Sequence, residues 1–194
     1  MSVYIENPLI TVPPVDEVVE QAVRLRATQS VRRLFGEVTV NGLQQLPLAQ
    51  SELAKEIIVA VLRNRVTIIH LAQIQRHANY LFSHSINVAI LSTMTAITLG
   101  VRSNESLHAL AVGAMLHDIG MLAVPSHVLV RRDSDQLTAE ERELLQDHTA
   151  AGFAILRNLE DVPLLAAHVA YQHHEKWQGQ EYPRRLSGTD IHEL

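Results

Sequence analysis

Apolar residues recur every three or four positions along most of this chain, the spacing of helix faces, whereas the alternation typical of strands is nearly absent. Residues 37–50 are predicted to be a connector with a turn at Asn41-Gly42. We therefore expect an all-α fold, built as a helical bundle. The predicted helices cover residues 16–35, 51–63, 66–76 and 79–99, and three more begin at Asn104, Thr138 and Pro163.

Helix ends are also marked in the sequence. Gly100 should end the helix over 79–99, and the helix from Asn104 should end near Gly120. Thr138 and Glu141 have the spacing of a capping box, in which the hydroxyl and the carboxylate bond exposed amides at a helix start. The helix that they open is expected to carry one continuous apolar stripe, made of Leu144, His148, Ala151 and Ile155.

The polar residues that interrupt these apolar faces are mostly histidines, of which the chain has 11. A single buried histidine is usually structural and bonds one backbone carbonyl. Several such residues on four helices of a small domain need more partners, since each unpartnered polar group costs on the order of a few kcal/mol. The residues in these positions are His84, His117, Asp118, His148, His173 and His174. The remaining histidines are expected to face solvent or to make single core contacts: His70, His77, His108, His127, His168 and His192.

A metal centre would account for this set of residues. Imidazole and carboxylate are common ligands of transition metals, and the absence of cysteine favours iron, manganese or a related metal over structural zinc. Six candidate ligands exceed the need of one tetrahedral ion, so two divalent ions that share Asp118 are predicted. Two such ions can hold a bridging hydroxide and clamp a phosphoryl group. The residues alone therefore suggest metal-assisted hydrolysis of a phosphoester.

Composition and charge exclude several classes of function and location. The 194 residues carry a net charge of -5, which argues against binding to nucleic acid. No signal peptide and no membrane span are predicted, so we expect a soluble, cytoplasmic protein.

The order of the motifs is similar to that of the HD-GYP subfamily of HD phosphohydrolases. The motifs are His84 with Asn87, the sequence MLHDIG over 115–120, His148 after LTAEE, and HHEKWQGQEYP over 173–183. The resemblance implies a helical bundle of the HD-domain type that hydrolyses cyclic di-GMP to the linear dinucleotide or to GMP. It also implies an N-terminal helical linker region over 1–78 and a metal-binding domain over 79–194 that is incomplete at its C-terminus.

The resemblance assigns roles to individual residues. Asp118 would be the bridging, catalytic carboxylate, and the metal ligands would be His84, His117, Asp118, His148, His173 and His174. The residues expected near the substrate are Met121, Gly179, Tyr182 and Pro183. The loop at Tyr182-Pro183 is also expected to dock a signalling partner, and a homodimer is a further prediction.

Four departures from the subfamily pattern leave alternatives open. Met121 replaces a lysine, Gln178 an aspartate, Glu181 a glycine, and Tyr80 the glutamate of three-metal members. The subfamily also has a metal-binding aspartate in helices beyond the position of Leu194. The chain is thus either an active cyclic di-GMP phosphodiesterase, a degenerate module that binds a nucleotide or a partner, or an HD hydrolase of another phosphoester.

Overall fold

The computed structural model describes residues 21–41, 48–63, 80–131 and 137–193, and these residues form helices joined by short loops. Within these ranges no β-strand forms beyond one isolated bridge between Gln178 and Ser187. The predicted all-α fold is therefore confirmed. The α-helices are α1 (Gln21–Asn41), α2 (Leu48–Arg63), α3 (Tyr80–Thr98), α4 (Asn104–Leu116), α5 (Ser126–Arg131), α6 (Ala139–Gln146), α7 (His148–Leu156) and α8 (Leu164–Gln172). Two short 3-10 helices cover Ile119–Ala123 and Gly188–Asp190.

Helix α4 lies at the centre of the fold and packs against α2, α3 and α8. Most of its side chains are buried, because neighbouring helices cover it on several sides. Gly113 permits a close approach of α8 to α4: a Cβ atom there would lie 2.6 Å from Val169 Cβ and 2.8 Å from Ala166 O. The small residue thus brings α8 against α4, and residues of the predicted metal centre directly follow the end of each helix.

The N-terminal helices belong to the same hydrophobic core. Val31 of α1 and Ile57 of α2 are fully buried and share one cluster with Ile90 of α3 and Leu116 of α4. Burial of such side chains stabilises each by roughly 1.5–3 kcal/mol, so α1 and α2 help to hold α3 and α4 in place. The division into a linker region over 1–78 and a domain over 79–194 stays a prediction.

Several predicted helix ends were wrong. Helix α1 continues through Gly36 to Asn41, into the predicted connector, and α2 begins at Leu48, so Ser51 is not its cap. The N-cap of α4 is Ser103, whose hydroxyl accepts a hydrogen bond from the Ser106 amide, and Asn104 is the first helical residue. The helix predicted over 66–76 and the cap at Asp16 lie outside the described residues.

The capping box at the start of α6 is confirmed, but the continuous stripe behind it is wrong. The Thr138 hydroxyl accepts from the Glu141 amide at 3.1 Å, and the Glu141 carboxylate accepts from the Thr138 amide at 2.9 Å. The helix is then interrupted at Asp147, so the residues before and after it do not share one face. Leu144 is 41% exposed, whereas His148, the first residue of α7, is 1% exposed.

One described segment, Asn104–Ala123, is long and apolar enough to cross a membrane by length and composition. Of its most apolar window, 67% is buried inside the fold. This burial is typical of a core helix, and packing inside the fold accounts for the apolar sequence of α4 without contact with lipid.

Candidate metal centre

The six predicted ligands come together where four helices meet. His84 lies on α3, His117 and Asp118 follow α4, His148 begins α7, and the pair at 173–174 follows α8. They form two groups, in each of which the possible ligand atoms lie within 4.8 Å of one another. The groups are His84 with His117 and Asp118, and His148 with His173 and His174. All six residues were predicted to form one centre, and the structure brings them together.

A close backbone contact holds the second group beside the first. A Cβ atom at Gly120 would lie 1.9 Å from His148 O and 2.5 Å from the Gly152 amide nitrogen. Only glycine therefore allows the 3-10 helix after Asp118 to touch the start of α7. This contact fixes how far His148 lies from Asp118.

The Asp118 carboxylate lies between three imidazoles. Its Oδ2 is 3.3 Å from His117 Nε2, and its Oδ1 is 3.5 Å from His148 Nε2 and 3.6 Å from His173 Nε2. Both oxygens are thus directed at ring nitrogens of different helices. A carboxylate in this position can ligate on both sides, as a bridge between two cations requires.

Backbone carbonyls orient these three rings. Nδ1 of His117 donates to Ala114 O at 2.8 Å, Nδ1 of His148 to Leu145 O at 2.7 Å, and Nδ1 of His173 to Ala170 O at 2.9 Å. Because a carbonyl oxygen can only accept, each Nδ1 carries a proton. The neutral ring then presents an unprotonated Nε2, the form in which histidine binds metals. The bond to a backbone carbonyl, which an ordinary buried histidine also makes, therefore leaves Nε2 unprotonated and able to bind a metal ion.

The chemistry of the donor set fits a bound cation. Nε2 of His148 lies 3.2 Å from Nε2 of His173, while both Nδ1 atoms are engaged with carbonyls. Two unprotonated nitrogens at this distance repel each other unless a proton or a metal ion lies between them. Burial lowers the pKa of His148 and outweighs the opposing effects of the Leu145 carbonyl and the Asp118 charge, so protonation is disfavoured there.

Burial and neighbouring charges also shift the pKa values of Asp118, His117 and His174. Burial by itself raises the pKa of Asp118, but hydrogen bonds and charges from His117 and His173 hold it far below its ordinary value. Burial lowers the pKa of His117, yet the hydrogen bond and charge of Asp118 outweigh this effect and raise the pKa overall. Burial, with the charges of His173 and His148, lowers the pKa of His174 to about 4. At neutral pH Asp118 is therefore a carboxylate and His174 a neutral imidazole.

The segment after α8 returns to the centre because Glu175 fixes it. The Glu175 carboxylate accepts from the Arg184 amide at 2.7 Å and from the Leu186 amide at 2.9 Å. Gly179 has φ +68, and a Cβ atom there would lie 3.1 Å from Ser187 Cβ, so the turn requires glycine. Glu175 lies within the motif over 173–183 and had no predicted role, because residue spacing gives no sign of its two bonds to backbone amides.

This segment places Tyr182 against two of the candidate ligands, His174 and His148. The phenol ring stacks on the His174 ring, with centroids 4.5 Å apart and planes at 28°. Burial, together with the charges of Glu181 and Asp118, raises the pKa of Tyr182 to about 12, so it remains a hydrogen-bond donor. Lys176 Nζ lies 2.6 Å from Glu181 Oε1, and this pairing lowers the pKa of Glu181. The carboxylate that replaces a glycine of the motif is therefore neutralised by a neighbouring cation.

Residues 66–194 match the family model described as HD domain. The chain belongs to the HD domain family. It is 37% identical over 109 residues to a cyclic di-GMP phosphodiesterase of Thermotoga maritima, over 56% of this chain and 29% of that protein. A cyclic di-GMP phosphodiesterase of Pseudomonas aeruginosa is 30% identical over 142 residues, or 73% of this chain and 33% of that protein. A 3'3'-cGAMP-specific phosphodiesterase of Vibrio cholerae is 34% identical over 110 residues, or 56% and 20%.

The chain thus spans about a fifth to a third of the length of these relatives. The resemblance predicted from the motifs is confirmed at the level of the family. Phosphohydrolases with HD domains are metal-dependent, and the two groups of ligand-type residues could bind metal. The number and identity of the ions stay predictions.

In this HD domain, the Met121 amide donates to Asp118 O at 2.9 Å, while its side chain packs among apolar residues. It is half-buried and packs against a small cluster formed by Val124, Val128 and Leu137. A thioether fits such an apolar contact, whereas a lysine would have to extend its ammonium group past the cluster. The roles of Met121, Gly179, Tyr182 and Pro183 in substrate binding stay predictions.

Proposed function

We propose that this chain is a metal-dependent phosphodiesterase that hydrolyses cyclic di-GMP to the linear dinucleotide or to GMP. The observation that carries the proposal is the Asp118 carboxylate among three imidazoles, each oriented by a backbone carbonyl. The names of the relatives in Thermotoga and Pseudomonas support the choice of substrate. A site that only bound a nucleotide would not need this many oriented ligands.

Two divalent ions, iron or manganese, are the cofactors in this proposal. His84, His117 and Asp118 would hold one ion, and His148, His173 and His174 the other, with Asp118 shared. When bound, such ions lower the pKa of a water molecule and neutralise charge on a phosphate. The all-nitrogen and oxygen ligand set favours these metals over those that prefer thiolates.

The residues of the chain prepare the centre for this reaction. Hydrolysis forms a bond between a water oxygen and phosphorus and breaks the bond between phosphorus and a ribose oxygen. On balance, one proton of that water is transferred to the ribose oxygen. Asp118 cannot supply the proton, because its pKa lies far below the ordinary range, so it acts as a fixed acceptor and ligand. Tyr182 keeps its phenolic proton at neutral pH and can donate a hydrogen bond to a phosphate oxygen.

The ion pair between Lys176 and Glu181 reduces the repulsion between this loop and an anionic substrate. Lys176 pairs with Glu181 at the loop, so this carboxylate does not present an uncompensated charge beside Tyr182. The docking of a signalling partner on the Tyr182-Pro183 loop, the homodimer and the cytoplasmic location stay predictions that accompany the proposal.

A matched pair of carboxylate variants tests the proposal. Asp118→Asn removes the shared charge, whereas Asp161→Asn makes the same change at an exposed position outside the centre. Loss of a group that only supports a metal ligand costs about 10–100-fold, so loss of the shared ligand should cost at least as much. The native chain and Asp161→Asn, loaded with manganese or iron, should convert cyclic di-GMP to products seen by chromatography. No product from folded, metal-loaded native protein would overturn the proposal.

A further inference from the structure

The Glu175 carboxylate binds both ends of the short segment 184–186, which follows the Tyr182-Pro183 loop. Its Oε1 accepts from the Arg184 amide at 2.7 Å, and its Oε2 accepts from the Leu186 amide at 2.9 Å. Hydrogen bonds accepted by a carboxylate are roughly twice as strong as those between neutral groups. One side chain therefore holds this segment at two points.

Arg185, which lies between the two bonded amides, has an unfavourable backbone conformation. Its φ is +56, and among the residues that the structure describes it is the one non-glycine residue with a positive φ. A side chain is disfavoured in this region because its Cβ approaches the following carbonyl oxygen. The Arg185 side chain is exposed and gains little from packing. The two bonds to Glu175 therefore stabilise a conformation that the arginine itself opposes.

Glu175 is in turn fixed to the end of α8, beside the candidate ligands. Its backbone amide donates to Gln172 O at 2.8 Å, and it directly follows His174 in the chain. The carboxylate therefore has a defined origin, and the position of segment 184–186 is set relative to α8.

The segment that Glu175 holds begins two residues after Tyr182. The phenol ring stacks on the His174 ring at 4.5 Å between centroids and lies 6.3 Å from the His148 ring. Pro183 restricts the backbone between the phenol and the held segment, because its ring fixes φ. A displacement of segment 184–186 would therefore move the phenol relative to both imidazoles.

We propose that Glu175 is a positioning residue for the hydrolysis. Through the amides of Arg184 and Leu186, it holds the Tyr182 hydroxyl where that group can donate to a phosphate oxygen. This role rests on the proposed function, since the hydroxyl acts on a phosphoester at the metal centre. Glu175 itself contacts neither substrate nor ion, so its effect on turnover passes through Tyr182.

A double-mutant cycle tests whether Glu175 acts through Tyr182. Glu175→Gln keeps one acceptor oxygen but directs an NH2 group at a backbone amide, so one of the two bonds is lost. Tyr182→Phe removes the hydroxyl and keeps the ring. Each single variant, loaded with manganese, should lower kcat/KM for cyclic di-GMP about tenfold, as loss of one good hydrogen bond does. The double variant should be no slower than Tyr182→Phe alone, whereas independent roles would multiply.

Substitutions of Arg185 provide a rescue and its control. Glycine adopts a positive φ without the steric cost, so Arg185→Gly added to Glu175→Gln should restore part of the lost kcat/KM. Arg185→Ala removes the same charge but keeps a Cβ atom, and it should not restore activity in that background. Glu143→Gln makes the same change of charge at an exposed position on α6 and should leave kcat/KM unchanged.

The ring contact is measured separately from turnover. In NMR spectra of the full chain before metal is added, the ring current of Tyr182 should displace the resonances of the His174 ring protons. Glu175→Gln should move these resonances toward their positions in Tyr182→Leu, which lacks the ring. Tyr182→Phe should leave them close to the native positions, because the stacked ring remains.

The variants are expected to fold, because the base of the loop has its own bond. The Gly188 amide donates to Trp177 O at 2.9 Å, and this bond does not involve the Glu175 side chain. A thermal melt of each variant checks this expectation. A Glu175→Gln chain that does not fold would show a general structural role and would overturn the proposal.

The other outcomes separate this role from the proposed function. If Glu175→Gln leaves the His174 resonances and kcat/KM unchanged, or if the two single effects multiply in the double variant, the positioning role is wrong while the proposed function stands. If the folded, metal-loaded native chain forms no product, the proposed function fails, and the positioning role fails with it.

Discussion

Replacing Gly120 by alanine is the most specific perturbation that the structure offers. The added Cβ would lie 1.9 Å from His148 O, whereas real Cβ atoms essentially never come within 3.0 Å of a neighbour. The obstacle is backbone rather than a flexible side chain. The 3-10 helix and the start of α7 must therefore move apart by at least about 1 Å, and His148 moves away from Asp118 with them.

The expected cost follows from this displacement. Overpacking a close-packed contact typically lowers the free energy of unfolding by about 1–3 kcal/mol. Because this clash involves backbone atoms, we expect Gly120→Ala to lower it by about 3 kcal/mol. For a chain of this size, that loss lowers the melting temperature by roughly 6–12 °C. A misplacement of about 1 Å in a catalytic group can cost 10²-fold in rate, so metal-dependent hydrolysis should fall about a hundredfold.

Gly152→Ala is the matched control, because Gly152 lies on the other side of the same contact. A Cβ atom there would lie 3.4 Å from the Gly120 amide nitrogen and 3.6 Å from His117 O, which are ordinary contacts. Its melting temperature and manganese affinity should stay close to those of the native chain. The assay is a thermal melt with a manganese titration for each variant. A Gly120→Ala protein as stable and as tightly metal-binding as Gly152→Ala would refute the reasoning.

Three further predictions concern charge around the centre. Lys176→Met leaves Glu181 without its cation, so KM for cyclic di-GMP should rise several-fold. The melting temperature should barely change, since an exposed ion pair contributes only about 0–1 kcal/mol. Lys55→Met, which removes the cation of an ion pair on α2, is the control and should leave KM unchanged. Manganese affinity, measured by titration at several pH values, should fall as the pH drops through the raised pKa of His117, because the metal must displace that proton; an affinity independent of pH between 8 and 5 would contradict this. Met121→Lys should raise hydrolysis at least tenfold, because its ammonium group would stabilise charge on the phosphate. It should also lower the melting temperature, because the apolar cluster loses a thioether. Unchanged turnover in folded, metal-loaded protein would show that residue 121 does not contact the substrate.

The cluster of six candidate ligands was predictable from sequence, because polar residues on otherwise apolar helix faces need partners. The same reasoning located Gly100, where φ +101 ends α3, and the capping box at Thr138. Each of these signals is local, since it depends on residues within a few positions of one another. Local signals therefore located the candidate ligands and most of the helices.

The signals that failed depend on contacts between distant segments. Nothing near Asp147 in sequence marks the interruption that separates Leu144 from His148, because the packing of α7 against the 3-10 helix decides it. The same holds for Gly120, whose need for glycine comes from His148 O. The bond from His192 to Gln172 spans 20 residues and also lies outside the reach of periodicity.

The central claim is that Asp118 and the surrounding histidines hold metal ions, and anomalous X-ray diffraction from crystals of manganese-loaded protein tests it most directly. The account predicts two anomalous peaks roughly 3.5–4 Å apart on either side of the Asp118 carboxylate, each within bonding distance of histidine Nε2 atoms. Peaks elsewhere, or no peak at this carboxylate in crystals grown with excess manganese, would contradict it.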